Sequence, residues 1–329
     1  MRMDRRRLVQ AGLGLSGLGL ARGARAQPGW APERPLRWIV PAPPGGGFDL
    51  IARLLAQGLS PRLGQPIVID NRPGAGTGIG AEAVAKAAPD GLTFGSADNG
   101  TLVYNSVLYR RLAYDPEKDF RVVGTTARFH LVLAARAGSA IGSAAALVAQ
   151  AKGAAEPMQY GSPGAGLPHH LAMERLARET GAKLTPVHYR GLAPMMTDML
   201  AGTIEVAVVD LFAGREHLSA GRFRPLAVCS ETRLPQLPGV PTVAEALGLA
   251  GFEAYAWQAL ILPRATPDAP VLRLRQELVA VLQDRGVAAA MREQGLDPLP
   301  GGEAEFAARL WREKTVWVPL IQSLGITLD

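Results

Sequence analysis

Residues 36–70 read LRWIVPAPPGGGFDLIARLLAQGLSPRLGQPIVID, and their periodicity sets the fold class. The run LRWIVPA is short and apolar, as a buried strand is. Leu50, Ile51, Leu54, Leu55, Leu59 and Leu63 then recur at helical spacing, and PIVID returns to strand. Together they form one βαβ unit. The alternation continues downstream: GAEAVAKAA reads as helix, GLTFGSA strand, SAAALVAQAK helix, MQYGSP strand, HHLAMERLARETG helix, LTPVHYR strand, APMMTDMLAG helix and IEVAVVD strand. This order predicts an α/β protein with parallel sheets covered by helices on both faces.

Two long apolar runs interrupt the rhythm, FRVVGTTARFHLVLAAR at 120–136 and FEAYAWQALILP at 252–263. Each is long enough to leave one globular unit and enter another, and two crossings make a hinge. The C-terminal part reads as helices without strands between them. One carries Val271, Leu274, Leu278 and Leu282; another begins near Glu303 with Phe306, Leu310 and Trp311 on one side. Such helices return to the first sheet. The expected division is a discontinuous lobe of residues 27–127 and 253–329, and a second lobe of residues 128–252. A ligand cleft then lies between the lobes, at the carboxyl ends of strands.

Composition narrows the class. The 329 residues are 48% hydrophobic and 6% aromatic, enough for two packed cores and too polar for a membrane bundle. The N-terminal MDRRRLVQ, the apolar segment 11–20 and the ARA of residues 24–26 read as an export signal over residues 1–26, cleaved after Ala26. Arg5 and Arg6 resemble a twin-arginine signal with Asp4 where Ser or Thr is usual, and an ordinary secretory route is the alternative. The formal net charge is +6, but residues 1–26 hold six Arg and one Asp, so the remainder carries 29 cationic against 28 acidic residues. No basic cluster survives to mark a nucleic-acid face. Cys229, the only cysteine, lies in the apolar run PLAVCS and reads as an inert core residue.

The chemistry concentrates in two glycine turns. Pro43, Pro44, Gly45, Gly46 and Gly47 form a bend that lets a ligand approach main-chain N–H groups, and Asp49 is placed to cap the following helix. The first N–H groups of a helix lack intrahelical partners and carry a partial positive charge, so an anion can dock there without a cationic side chain. YGSPGAGLPHHLAMERL at 160–176 repeats the architecture, with Ser162, Gly164, Ala165 and Gly166 presenting amides and one hydroxyl. If the two turns belong to different lobes, they grip one small carboxylate between them.

Other chemistries have weaker markers. GAGTGIGA at 74–81 nominally meets a dinucleotide fingerprint, with Asp98 twenty positions past Gly78, but Arg72, Pro73 and further residues separate it from its strand. His169, His170 and Glu174 lack a third ligand at a telling spacing, so no metal is expected. No GxSxG elbow and no phosphate-binding GxxxxGK[ST] loop occurs.

PAPPGGGFDLIAR, VIDNRPGAGTGIGAEAVAKAAPDG, LYRRLAYDPEKDF, YGSPGAGLPHHL, HYRGLAPMMTDMLAG and LPGVPTVAEA, in this order, closely resemble the Bug-type (TctC-like) extracytoplasmic solute receptors of tripartite tricarboxylate transporters. The resemblance covers essentially everything after the signal. It implies a two-lobed periplasmic binding protein of the type II, Venus-flytrap kind: a monomer, not an enzyme, without cofactor, that delivers a small carboxylate to membrane permease subunits. By similarity the site takes in Pro44, Gly45, Gly46, Gly47, Phe48 and Asp49 of the first turn, and Ser162, Gly164, Ala165, Gly166, Leu167 and His170 of the second. Asn99, Thr101, Tyr189, Arg190, Gly191 and Asp210 are added as contacts to the distal part of the ligand. An exported cofactor-dependent enzyme using the 74–80 glycines, and a sensor that presents its ligand to a membrane kinase, are the competing readings.

Four departures bear on the ligand. Phe48, Leu167 and Leu192 stand where the family usually has Ser or Thr, and Ala165 replaces a frequent Asn. A hydrogen bond to a charged group contributes roughly 1.5–3 kcal/mol, whereas a buried Phe or Leu returns roughly 1.5–3 kcal/mol only if the ligand brings apolar surface. The expected ligand is therefore an aromatic or aliphatic acid, not citrate.

Overall fold

A computed structural model describes residues 30–329; the expected export signal lies outside them. In chain order the elements are β1 (Leu36–Val40), α1 (Gly47–Leu63), β2 (Ile67–Asn71), α2 (Gly78–Ala85), β3 (Thr93–Asp98), a π-helical turn (Gly100–Tyr104), α3 (Asn105–Leu108), β4 (Phe120–Arg136), α4 (Ala144–Gly153), β5 (Met158–Ser162) and α5 (Pro168–Thr180). They continue as β6 (Leu184–His188), α6 (Leu192–Ala201), β7 (Val206–Asp210), α7 (Leu211–Ser219), β8 (Phe223–Val228), α8 (Val243–Leu247), β9 (Tyr255–Pro263), α9 (Asp268–Gln283), α10 (Arg285–Glu293), β10 (Leu296–Pro298) and α11 (Glu303–Leu324).

The strands follow the path β2-β1-β3-β9-β4-β7-β5-β6, with β8 and β10 also pairing with β4. The expectation of parallel sheets holds for the outer strands and is corrected at the centre. β1 pairs in parallel with β2 and β3, and β5 with β6 and β7, but every pairing of β4 and β9 is antiparallel. The reason is topological: β4 carries the chain across, β9 brings it back, and strands that cross in opposite senses within one sheet pair antiparallel. Residues 120–130 of β4 face β9, while residues 131–136 face β7 and β8. One 17-residue strand therefore belongs to both lobes.

The apolar rhythm in the sequence becomes the packing. Ile51, Leu55, Leu59 and Leu63 of α1 meet Val271, Leu274, Leu278 and Leu282 of α9 on one face of the first lobe. Each fully buried side chain of this size contributes about 1.5–3 kcal/mol. On the opposite face a continuous core runs through both lobes, joining Val84 of α2 and Trp317 and Ile321 of α11 to Leu147 of α4 and Leu171 of α5. Met195, Met199 and Leu218 close the far side of the second lobe. Cys229 is buried in the continuous core, its thiol pushed up to about 12 by burial, which leaves it unreactive.

Two C-terminal expectations are corrected. A three-residue strand, β10, stands between α10 and α11 and pairs with β4 at residues 127–129. Trp311 is not on the buried side of α11: it is 69% exposed, because the stripe runs through Phe306, Glu313, Trp317, Leu320 and Ile321, and five residues beyond Phe306 lies well round the helix.

Candidate functional site

Both glycine turns leave the carboxyl ends of parallel strands, the first after β1 and the second after β5. Each meets the opposite lobe. A β-carbon at Gly47 would stand 3.0 Å from Phe129 Cε1 and 3.7 Å from Phe212 Cε1, at the start of α7. One at Gly166 would stand 2.5 Å from Leu108 Cδ1, at the end of α3. Both turns therefore lie on the seam between lobes, where only glycine permits the approach.

In the first turn the expected cap is reassigned. Gly46 is the residue before the helix, and Asp49 lies inside its first turn without capping it. The buried Asp49 carboxylate instead accepts from the Gly45 N–H (2.9 Å), Arg53 Nε (2.9 Å) and Asn71 Nδ2 (3.0 Å). The Arg53 hydrogen bond leads in lowering its pKa to about 2, against the opposing effect of burial. Asp49 is thus committed to holding the turn. Pro44 has no N–H, and Gly45 gives its own to Asp49. Among the described residues no acceptor meets the N–H groups of Gly47, Phe48 and Asp49, so these three are available to an anion. Phe48 is half-buried and packs against the α1–α9 core.

The second turn is tied more heavily. Ser162 is fully buried; its hydroxyl donates to Gly164 O (3.1 Å), accepts from Gly164 N–H (3.4 Å) and contacts His188 Nδ1 (3.0 Å). Gly166 N–H donates to His170 Nδ1 (3.1 Å), and Leu167 N–H donates to Gly164 O (3.4 Å). His170 Nε2 lies 3.6 Å from Glu174 Oε1, which takes the Tyr160 hydroxyl at 2.5 Å. Burial, helped by the nearby His188, lowers His170 to about 4, so the ring is neutral and structural. The N–H groups of Ala165, His169 and His170 have no acceptor among the described residues. Tyr189 and Gly191 dock on the same turn through N–H bonds to Ser162 O (2.8 Å) and Pro163 O (2.9 Å), and Gly191 leads directly into α6. Arg190 between them is exposed and pairs with no carboxylate among the described residues. The Tyr189 hydroxyl is spent on Asp198 (2.8 Å).

Three distal residues prove to be bound within the protein. Asn99 is fully buried: its amide nitrogen serves Glu313 (2.9 Å), Tyr104 (3.2 Å) and Tyr255 O (3.4 Å), and its oxygen takes the Trp257 N–H (2.8 Å). It fastens β3 to β9 and α11. Thr101 is fully buried, with its hydroxyl shared between Asp98 (2.9 Å) and Thr77 (2.7 Å). Asp210 caps α7 by accepting from Ala213 N–H (2.6 Å), and its other oxygen lies 3.4 Å from His169 Nε2.

Some participants left little trace in the sequence. Phe129 and Phe212 line the seam because of the crossing strand and the start of α7, with ring centroids 6.2 Å apart. The turn from Gly74 to Thr77 holds two non-glycine residues at positive φ, Ala75 and Thr77, and is fastened by Asn105 Nδ2 to Gly76 O (2.9 Å). Its glycine run was the only sequence signal, and it pointed toward a dinucleotide. Six residues separate β2 from α2 there, so the tight strand-to-helix turn of that fingerprint is missing. Among the described residues no group of His, Cys, Asp and Glu is arranged to hold a metal ion.

Two lobes joined by crossing strands, with unpaired helix-terminal amides on their seam, define a solute-binding receptor. Residues 51–326 match the family described as Tripartite tricarboxylate transporter family receptor, and the chain belongs to that family. It is 33% identical over 298 residues to Protein BugT of Bordetella pertussis, covering 90% of this chain and 91% of that one. The structure of R. palustris Rpa4515 with adipate superposes with a TM-score of 0.82 at 35% identity, covering 90% of this chain and 99% of the other. MatC (Rpa3494) from Rhodopseudomonas palustris with bound malate gives 0.77 at 28% identity, with coverage of 88% and 99%. The family is one of receptors, and the chain is a receptor, not an enzyme. Receptors of this family are periplasmic, bind small carboxylates and work with the membrane subunits of a transporter.

Proposed function

We propose that this receptor captures a carboxylate with an apolar body, aliphatic or aromatic, and delivers it to transporter permease subunits. The carboxylate sits between the free N–H groups of Gly47, Phe48 and Asp49 and those of Ala165, His169 and His170. The observation that carries this reading is that each turn packs against the opposite lobe, so closure brings two amide clusters to one anion without a cation as the main anchor. Pro44, Gly45, Ser162, Gly164, Gly166 and Gly191 shape the turns; Arg190 and Tyr189 border them; Phe48 and Leu167 supply apolar contact.

The moving bodies are residues 27–127 with 253–329, and residues 128–252, turning about the crossings. The protein acts as a monomer, exported with residues 1–26 removed after Ala26. Closure excludes water and strengthens each amide-to-carboxylate bond, and only a ligand with higher affinity for the closed form shifts the population.

The Rpa4515 relative with adipate and the MatC relative with malate support a carboxylate as the ligand class. Phe48 and Leu167 favour the less polar end of that range. Native mass spectrometry of protein purified without refolding, followed by calorimetry with adipate, hexanoate, benzoate and citrate, tests this. Tighter binding of one of the first three is expected; citrate bound far more tightly than all three overturns the apolar-body assignment.

A further inference from the structure

Ala165 offers a free N–H from the middle of a turn whose neighbours on both sides are glycines, Gly164 and Gly166. Glycine imposes almost no backbone preference, so the direction of that N–H depends on what pins the glycines. Gly166 is pinned by His170 Nδ1 at 3.1 Å. Gly164 is pinned at both its N–H and its carbonyl by the Ser162 hydroxyl. Behind Ser162 stands His188, at the end of β6, its Nδ1 3.0 Å from the serine oxygen and its ring in edge-to-face contact with His170, centroids 4.8 Å apart. Strand pairing sets Ser162 opposite His188, which fixes the approach.

The hydroxyl has one hydrogen. If it goes to Gly164 O, the serine oxygen accepts from both Gly164 N–H and His188, and His188 must carry its proton on Nδ1. In the other tautomer Ser162 turns its hydrogen to the imidazole, and Gly164 O keeps only the longer bond from Leu167 N–H. Burial, partly offset by Glu174, lowers the pKa of His188, so at neutral pH the ring carries a single N–H and the choice of nitrogen matters. His188 stands at the exposed end of β6 with its ring partly covered by His170, so core packing alone does not explain its place.

We infer that His188 is a positioning residue for ligand capture: as the Nδ1–H tautomer it orients the Ser162 hydroxyl toward Gly164, which aims the Ala165 N–H at the bound anion. This rests on the carboxylate reading of the second turn and names a residue outside it.

The first arm of the test needs no ligand. Nitrogen-15 NMR of the free receptor should show His188 protonated at Nδ1, and His188→Leu should speed hydrogen exchange at Gly164 relative to wild type. Protonation at Nε2, or unchanged exchange, overturns the inference. The second arm measures binding of adipate, hexanoate and benzoate. His188→Leu should weaken the acids that bind roughly tenfold at unchanged melting temperature, the scale of one hydrogen bond. His188→Asn, whose amide N–H takes the place of Nδ1–H, should restore affinity to within about threefold on the same scale. Adding Ser162→Ala to His188→Leu should cost little more, because the two act as one unit. Leu and Asn variants with equal affinity for acids that wild type binds overturn it. If wild type binds none of the three acids, the carboxylate reading falls, and the tautomer and exchange still decide the positioning role.

Discussion

His170 makes the second turn sensitive to acid. The ring is 3% exposed, accepts from Gly166 N–H at Nδ1, and is lowered to about 4 by burial with help from the neighbouring His188. An unfolded histidine titrates near 6.5, so between roughly pH 6.5 and 4 the unfolded chain binds a proton that the folded chain refuses. Stability from this residue is complete above about pH 6.5, falls as pH drops, and levels off below about 4. A shift of about 2.5 units corresponds to roughly 3.4 kcal/mol, of which about 2.5 are lost by pH 4.5. His170→Gln keeps an acceptor for Gly166 without a titrating group. Urea unfolding of both proteins at about pH 7 and 4.5 should show wild type losing about 2.5 kcal/mol more than the variant, since the other groups are common to both. Equal losses refute the reasoning, because the imidazole would then titrate alike in the folded and unfolded chains.

Further outcomes concern the first turn and the seam. Asp49→Asn removes a buried carboxylate that three donors address and should cost roughly 1–3 kcal/mol in urea unfolding. Because Asp49 is lowered to about 2, its contribution is present above about pH 3.8 and disappears on going down to about 2, a window clear of the His170 one. Gly166→Ala places a β-carbon 2.5 Å from Leu108 Cδ1 at a residue with φ +74°, so it should strain the turn and hold the lobes apart. Calorimetry should show ligand affinity falling at least about tenfold, with about 1–2 kcal/mol of stability lost to the left-handed backbone; unchanged affinity would mean that the seam does not tighten on the ligand.

Much of the architecture could be read from periodicity. The α1 stripe, the crossing run at 120–136 and the strand-helix alternation appear in the structure because burial repeats at the period of each element, whatever its neighbours. Both glycine turns were legible too, since few other features require two or three glycines within three residues just before a helix. Side-chain roles were less legible. Asp49 looked like a cap and is a brace; Asn99 and Thr101 looked like ligand contacts and are buried fasteners. The Asn99 role depends on Glu313, 214 residues away, and no local pattern encodes a partner at that distance.

The sequence alone pointed to an α/β chain with two glycine turns that open onto helix N-termini, and the resemblance to the receptor family supported two lobes and added the expectation that Phe48 and Leu167 stand where polar side chains are usual. The alternation and the glycine turns follow from local spacing and residue type. The tertiary structure decided which N–H groups are already spent and which remain open, that the central strands run antiparallel, and that His188 stands behind Ser162. Hydrogen bonds of a few ångströms link residues far apart in the chain, so only the folded arrangement settles how each donor is used.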